Sequence, residues 1–380
     1  MARPITSHGR GTRMAGDRRP LPRTAFGPSP AAADPVSASL RILHAIRSDG
    51  YSGVERFVLR LARQQRTDGH EVTVIGGAVE PMRESLDPIG VPHAAATRTQ
   101  DVARAVRRLA SGFDVVNTHM TAAELGVAAG LAGRARRPSV VATRHFAKPH
   151  GRVGPVPVSL LVRPFVDAQI SISRAVAAAI DGDSTVVHSG VETRPIRDGS
   201  LRGRTVLMAQ RLQPEKHGHV GIRAFAAAGL ARAGWDLEIA GQGPEQAALE
   251  ALADELGIGH AVRFLGYRAD LPDVMDRAGL LIAPCPIEGL GLTVIEAMAG
   301  GLPVVAAGAA GHLDVFEGLE ERCLFAADDD ADAGRMLRHL ADDAESRAAL
   351  GVDVRSAQQQ RFSLAAQAAG TERVYRSVLR

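Results

Sequence analysis

From Arg41 onward, short apolar runs with the length of β-strands alternate with longer segments of helical periodicity. The first series of runs covers residues 41–46, 72–75, 114–117, 140–143 and 168–171. The second covers residues 205–209, 236–240, 262–265, 280–283 and 303–306. Strands that alternate with helices form parallel sheets with helices on both faces. The sequence therefore predicts an α/β fold built from two doubly wound, Rossmann-like sheets.

A change of composition separates the two series. Residues 192–203 are rich in Arg, Pro, Asp, Gly and Ser, which is typical of a linker. We therefore predict a first domain over residues 41–194 and a second over residues 195–361. The preceding residues 1–40 contain six arginines against two aspartates, a formal charge of +4, and have no apolar periodicity. We expect this basic tail to be disordered.

The composition excludes several classes of protein. Aromatic residues make up only 4% of the chain, which argues against stacking on nucleic-acid bases. The two cysteines, Cys285 and Cys323, are too few for a disulfide framework or a metal cluster, and they fit a reducing compartment. No apolar run approaches the roughly 18 residues of a membrane span. We expect a cytoplasmic protein with no cofactor, no bound metal and no nucleic-acid partner.

Two carboxylates flank a glycine turn in the second domain. The apolar run 279–284 predicts a strand, and residues 293–299 predict the start of a helix. Free backbone N–H groups at such a turn bind anions. We predict that the turn Gly289, Leu290, Gly291 and Leu292 holds phosphate, that Glu288 binds sugar hydroxyls and that Glu296 binds ribose. The alternative is a capping box, in which Thr293 and Glu296 only close the helix start.

Other loops that follow predicted strands carry further candidates. Arg211 and Lys216 lie five residues apart, close enough to straddle a diphosphate. The alternative is a pair of solvated surface cations. The remaining candidates for substrate binding are Gly241, Gly243 and Tyr267 in the second domain, and Gly53, His119 and His145 in the first. The pair Asp181 and Asp183 has a metal-like spacing, but we interpret it as a glycine turn.

The order of these motifs resembles the retaining glycosyltransferases of family 4, which have the GT-B fold. The resemblance covers residues 41–380. Glu288 and Glu296 match the Glu-x7-Glu motif of the family, and Arg211 and Lys216 match its phosphate-binding Arg and Lys. The resemblance implies two Rossmann-like domains that face each other across a cleft, with the acceptor on the first domain and the nucleotide sugar on the second. It also implies a C-terminal helix, residues 362–380, that crosses back to the first domain.

The resemblance implies a retaining, metal-independent transfer of a sugar from a UDP- or GDP-sugar to a hydroxyl group. The acceptor would be a glycan or a lipid-linked glycan. The implied catalytic residues are Glu288, His119, Arg211 and Lys216. Two alternatives stay open: a nucleotide-sugar epimerase of the same fold, and a non-catalytic protein that binds sugar nucleotides.

The chain also departs from the family pattern. Ser52 stands before Gly53 where the family usually has a second glycine. His188 occupies the proline position of the hinge turn, and residues 310–314 replace the usual Gly-Gly-x-Pro-Glu. A peripheral contact with the inner face of the membrane also stays open. Residues 102–109 would serve for it as a basic amphipathic helix, or else form a solvated helix face.

Overall fold

The structure is a computed structural model that describes residues 38–51, 53–195 and 202–379. Most of the predicted tail, Ser52 and the middle of the predicted linker lie outside the described residues. None of the described helices is both long enough and apolar enough to cross a membrane.

The first half of the chain forms one parallel sheet with helices around it. Its strands are β1 (Arg41–Ile46), β2 (Glu71–Ile75), β3 (His93–Ala94), β4 (Val115–His119), β5 (Ser139–Arg144), β6 (Arg152–Val153), β7 (Val156–Pro157), β8 (Ala168–Ser171) and β9 (Thr185–Val186). Its helices are α1 (Gly53–Thr67), α2 (Val79–Leu86), α3 (Thr99–Leu109), α4 (Thr121–Leu131), α5 (Val158–Val162) and α6 (Arg174–Ala179). The strand order is β3-β2-β1-β4-β5-β8-β9, while β6 and β7 form a separate antiparallel hairpin.

The second half repeats this architecture. Its strands are β10 (Thr205–Ala209), β11 (Asp236–Ala240), β12 (Val262–Gly266), β13 (Leu280–Ala283), β14 (Val304–Ala307) and β15 (Leu324–Phe325), in the order β12-β11-β10-β13-β14-β15. Its helices are α7 (Gly218–Ala227), α8 (Gln246–Glu255), α9 (Leu271–Arg277), α10 (Leu292–Ala299), α11 (Gly311–Val315), α12 (Glu320–Cys323), α13 (Asp330–Asp342) and α14 (Ala344–Arg361). In both sheets the chain reverses its direction of winding at the first strand, so the carboxyl ends of the central strands form a crevice.

The central strands of the first sheet are buried on both faces, yet they are not purely apolar. β1 contains His44, β4 contains Asn117 and His119, and β5 contains Thr143. Parallel pairing places His44 opposite Asn117, and His119 opposite Thr143. Because side chains alternate along a strand and paired residues point the same way, these polar groups share one face of the sheet.

The last helix, α15 (Leu364–Ser377), packs on the first sheet rather than the second. It lies against α1, β5 and β8, and Tyr375 is fully buried there. The Tyr375 hydroxyl accepts a hydrogen bond of 2.6 Å from Asn117 Nδ2. The predicted helix that crosses back to the first domain is therefore present.

Candidate functional site

The turn between β13 and α10 has a shape that only glycine permits at one position. Gly291 lies just before the helix with φ at 92°, in the left-handed region. A Cβ at this position would also lie 3.1 Å from the ring of His312. Leu290 is buried, so the turn is anchored on its inner side while its backbone forms the start of α10. Thr293 lies inside the helix and makes no cap, so the capping-box alternative is wrong.

Glu288 and Lys216 come from different loops and form an ion pair. Lys216 follows β10, and its Nζ meets the Glu288 Oε1 atom, with both side chains mostly shielded from solvent. The structure thus brings together two motifs that are 72 residues apart. Cys285 lies beside this pair, where burial and the Glu288 charge raise the pKa of its thiol.

Arg211 stays at the edge of this group. Its side chain is 68% exposed, and its Nη2 atom lies 3.7 Å from the carboxylate of Glu215 on the same loop. Tyr267 is also exposed, at the end of β12. The structure therefore does not bring either side chain to the Glu288 and Lys216 pair.

The two candidate glycines after β11 are required by packing. A Cβ on Gly241 would lie 1.8 Å from the carbonyl oxygen of Gln210, and one on Gly243 would lie 2.1 Å from that of Leu212. Both contacts involve the loop that carries Arg211. The glycines therefore let two loops lie against each other at the carboxyl end of the second sheet.

Glu296 makes a contact that the sequence did not predict. Its Oε1 atom accepts a hydrogen bond of 2.7 Å from Arg60 of α1. The Arg60 Nε atom lies 3.1 Å from the carboxylate of Glu192. The carboxylate predicted to bind ribose is thus paired with a cation from the first half of the chain.

A second group of contacts joins the two halves near α11. Asp314 is buried and accepts hydrogen bonds from the Arg174 backbone N–H at 2.6 Å and from its Nε at 2.8 Å. His188 Nε2 lies 3.2 Å from the same carboxylate. Burial alone would raise the pKa of Asp314, but the bonds from His188 and Arg174 outweigh it and lower that pKa to about 2. The two departures from the family pattern, His188 and Asp314, therefore bind each other.

The two histidines predicted to bind substrate, His119 and His145, are both buried. β4 extends to His119, two residues beyond the predicted strand end, and His119 has no exposed surface. Its two ring nitrogens lie 3.0 Å from His44 Nδ1 and 3.1 Å from His145 Nε2. His145 follows β5 and is almost fully buried as well. Burial lowers the pKa of His44 and of His145 to about 4, and it lowers the pKa of His119 well below the ordinary value of a histidine.

His145 borders a cavity of about 450 Å³ at the carboxyl end of the first sheet. The cavity lining also includes three cations: Arg47, Arg144 and Lys148. Arg144 is paired at 2.6 Å with the buried carboxylate of Glu124. Arg47 and Lys148 are exposed, so they give the mouth of the cavity a positive charge.

The remaining candidates have simpler positions. Gly53 begins α1, and space is open around the position a Cβ would take. Asp181 accepts a hydrogen bond of 3.0 Å from the His150 backbone N–H, and the same carboxylate oxygen lies 3.0 Å from the His150 ring nitrogen Nδ1. Within the described residues, no group of three or more acidic, His or Cys side chains is arranged to hold a metal ion.

Sequence reasoning missed four side chains that the structure brings into or beside this region. They are His44, Arg60, Gln65 and His312. His44 could have been noticed as a titratable residue inside an apolar strand. His312 donates from Nδ1 to the Ala307 carbonyl oxygen at 3.0 Å, and among the described residues its buried Nε2 has no partner. Arg60 and Gln65 gave no signal, because a polar residue on an amphipathic helix is ordinary.

Two family models match consecutive parts of the chain. The family described as Glycosyltransferase Family 4 matches residues 51–194, and the one described as Glycosyl transferases group 1 matches residues 194–356. The chain is also 30% identical over 354 residues to phosphatidyl-myo-inositol mannosyltransferase of Mycolicibacterium smegmatis. That match covers 85% of this chain and 86% of the relative.

Other likenesses are shorter or concern the fold. The chain is 37% identical over 161 residues to D-inositol 3-phosphate glycosyltransferase of Mycobacterium leprae, which covers 37% of this chain. The chain spans only 36% of the length of that relative, and it spans only 12% of the length of a second, longer relative. The crystal structure of Anabaena HepE in complex with UDP is similar with a TM-score of 0.73 and 20% identity. That likeness covers 89% of this chain and 100% of HepE.

Proposed function

The chain belongs to the group 1 glycosyltransferases of family 4 and has their GT-B fold, and from this premise we propose that it transfers a sugar from a nucleotide diphosphate sugar to an acceptor hydroxyl. We further propose that the anomeric configuration is retained and that no metal ion takes part. The donor carries UDP or GDP. The acceptor is a glycan or a lipid-linked glycan, and the reaction takes place in the cytoplasm.

The observation that carries this proposal is the pairing of Glu288 with Lys216 beside the start of α10. A carboxylate binds sugar hydroxyls, and an ammonium group binds phosphate. The glycine turn adds free N–H groups and the positive end of a helix at the same place. This arrangement suits a ligand with a sugar at one end and a diphosphate next to it.

Each group has a distinct role in the proposed reaction. Lys216, with Arg211 swinging in from solvent, offsets the charge that develops on the departing diphosphate. The turn at Gly289 and Gly291 holds the phosphate oxygens, Glu288 fixes the sugar, and Glu296 binds the ribose. The acceptor hydroxyl attacks from the face that the nucleotide leaves, and its proton passes to the leaving phosphate.

In this proposal the acceptor binds in the cavity of the first domain that His145 lines, and the support for this is the chemistry of the lining residues. Two of the relatives are named for inositol phosphates and phosphatidylinositol, which carry a phosphate next to a polyol. The exposed cations Arg47 and Lys148 suit such an anionic acceptor. His119 has both ring nitrogens engaged, so in this proposal it acts on the substrate only through His145.

Donor binding is tested first by thermal unfolding with UDP-, GDP- and ADP-sugars. A bound donor raises the melting temperature by linkage. Glu288→Gln is then expected to abolish turnover, while Glu215→Gln, an exposed carboxylate on a neighbouring loop, leaves it unchanged. A new free nucleotide sugar formed without acceptor would instead indicate an epimerase. Binding of a donor without turnover or slow hydrolysis would indicate a non-catalytic binding protein.

A peripheral membrane contact is a second part of the proposal. It is assigned to residues 146–163 and not to the helix over residues 102–109. Val102, Ala105 and Val106 of α3 are buried, so the apolar face of this helix is not available to a bilayer. Residues 146–163 offer a better surface, because they include three basic residues and no acidic one. Five large apolar side chains of this segment are exposed: Phe146, Val153, Val156, Leu160 and Leu161.

Vesicle sedimentation tests this contact. Vesicles that contain anionic lipid are expected to pellet the protein at low salt and less at high salt. Replacing Leu160 and Leu161 by serine should reduce the pelleted fraction, while Val352→Ser, at an exposed valine of α14, should not. No pelleting at low salt, or equal pelleting of both variants, would contradict the contact.

A further inference from the structure

A line of four buried side chains crosses the first sheet from α1 to the cavity. Gln65 Oε1 lies 2.8 Å from His44 Nε2, and His44 Nδ1 lies 3.0 Å from His119 Nε2. His119 Nδ1 then lies 3.1 Å from His145 Nε2. These distances are all within hydrogen-bond range, so the four groups form a continuous chain.

The amide oxygen at one end gives this chain a direction. A carbonyl oxygen only accepts, so His44 must carry its proton on Nε2. A neutral imidazole has a single N–H, so His44 Nδ1 accepts and His119 must be protonated on Nε2. The same step repeats once more, and His145 is left with its proton on Nε2 and a lone pair on Nδ1. Burial keeps all three rings neutral at neutral pH by lowering each pKa.

The far end of the chain lies at the cavity. His145 is one of the lining residues, and no hydrogen bond within the described residues engages its Nδ1. Phe57 packs edge-on against the rings of His119 and His145, with centroid distances of 5.7 and 4.6 Å, and hinders their rotation. The charged groups that act on His145 are Glu55 of α1 and Arg144 of β5.

We propose that Gln65 is a positioning residue that fixes, through His44 and His119, the tautomer of His145, so that His145 Nδ1 accepts a hydrogen bond from an acceptor hydroxyl next to the one that attacks. This inference rests on the proposed transfer to a hydroxyl in the cavity. It assigns to a residue of α1 a role at a site that lies two rings away.

The orientation of a single amide decides the direction. The other atom of this amide, Gln65 Nε2, is buried and makes no hydrogen bond within the described residues, although the Tyr375 hydroxyl, which accepts from Asn117, is nearby. If the amide were reversed, its N–H would donate to His44, each ring would take the other tautomer, and His145 would present a donor. A donor at that place would compete for the lone pairs of the acceptor hydroxyl instead of orienting its proton.

Nitrogen-15 NMR of the full chain with labelled histidines tests the direction. Correlations between ring nitrogens and ring protons distinguish a protonated nitrogen from a bare one, and His145→Gln assigns the signals of that ring. The expected result is a single tautomer with the proton on His145 Nε2. Gln65→Met removes the acceptor and is expected to give a mixture, while Gln64→Met, one residue away on the same helix, changes nothing. A wild-type ring protonated on Nδ1 would overturn the proposal.

Hydrolysis of a nucleotide sugar tests the consequence, because water can donate one O–H to His145 Nδ1 while its other proton passes to the leaving phosphate. Gln65→Met is expected to lower kcat about fivefold, the effect of one lost hydrogen bond, and to leave the donor KM unchanged. Gln64→Met should match the wild type. An unchanged kcat alongside mixed tautomers would overturn the role of His145. A wild type that binds no nucleotide sugar would contradict the proposed function, while the NMR result would still decide the direction of the chain.

Discussion

Acidification is expected to destabilise this protein through its buried histidines. The pKa of His44 and of His145 is about 4 in the folded chain, against 6.5 for a free histidine. Between these two pH values the histidines of the unfolded chain bind protons, while the buried histidines of the folded chain stay neutral. The free energy of unfolding therefore rises with pH. The contribution is fully present above about pH 6.5 and is lost as the pH falls toward about 4.

The size of the effect follows from the same values. A pKa that falls from 6.5 to about 4 corresponds to about 3 kcal/mol for each ring when the loss is complete. At about pH 5, roughly 2 kcal/mol per ring is already lost. His150 works in the opposite direction, because its bonds to Glu124 raise its pKa despite burial. A comparison of variants therefore isolates the effect better than the wild type alone.

Urea unfolding followed by circular dichroism at constant ionic strength measures this difference. We expect the wild type to lose more stability than His145→Gln between about pH 8 and pH 5, by about 2 kcal/mol. His339→Gln, at an exposed histidine of α13, should keep the wild-type dependence. Equal pH dependence of the wild type and His145→Gln would refute the reasoning.

Three further predictions concern the site and the contacts around it. Gly291→Ala places a Cβ at positive φ and 3.1 Å from His312, so it should cost about 2 kcal/mol and abolish donor-induced stabilisation. The control is Gly318→Ala, which also places a Cβ at positive φ but has no atom within 4 Å of that Cβ. This variant should keep donor binding. Asp314→Asn removes the charge that Arg174 and His188 share and should cost about 2 kcal/mol in urea unfolding. Its control, Glu317→Gln, should change stability by less than about 0.5 kcal/mol, because this carboxylate is exposed. Lys216→Met should lower kcat at least about a hundredfold, with folding unchanged by circular dichroism; near-wild-type turnover would contradict its role.

The sequence was sufficient for the parts of the fold that depend on local pattern. Each predicted strand is present, because a buried parallel strand needs an apolar run and little else. The turn at Gly289 and Gly291 was also readable, since a strand, two glycines and a helix start follow one another directly. Short elements such as α5 and the β6–β7 hairpin were missed, because a few residues carry no periodicity.

Contacts between segments that are distant in the chain could not be predicted from the sequence. Arg60 and Glu296 are 236 residues apart, and nothing in either helix marks the other as a partner. The line of histidines needs the register of three strands, and the register is set by the whole sheet. The sequence did not indicate that Asp314 pairs with Arg174 and His188, because these partners come from α6 and from a separate turn. The roles assigned to the site residues remain predictions.

The contact between Arg60 and Glu296 has a thermodynamic consequence for the ligand. If the ribose takes Glu296, it competes with a cation from the other half of the chain. A partly buried surface pair of this kind contributes about 1 kcal/mol, so this competition weakens the measured affinity about fivefold. Linkage is reciprocal: whatever draws α1 away from α10 tightens nucleotide binding by the same factor, and bound nucleotide loosens the contact between the two halves.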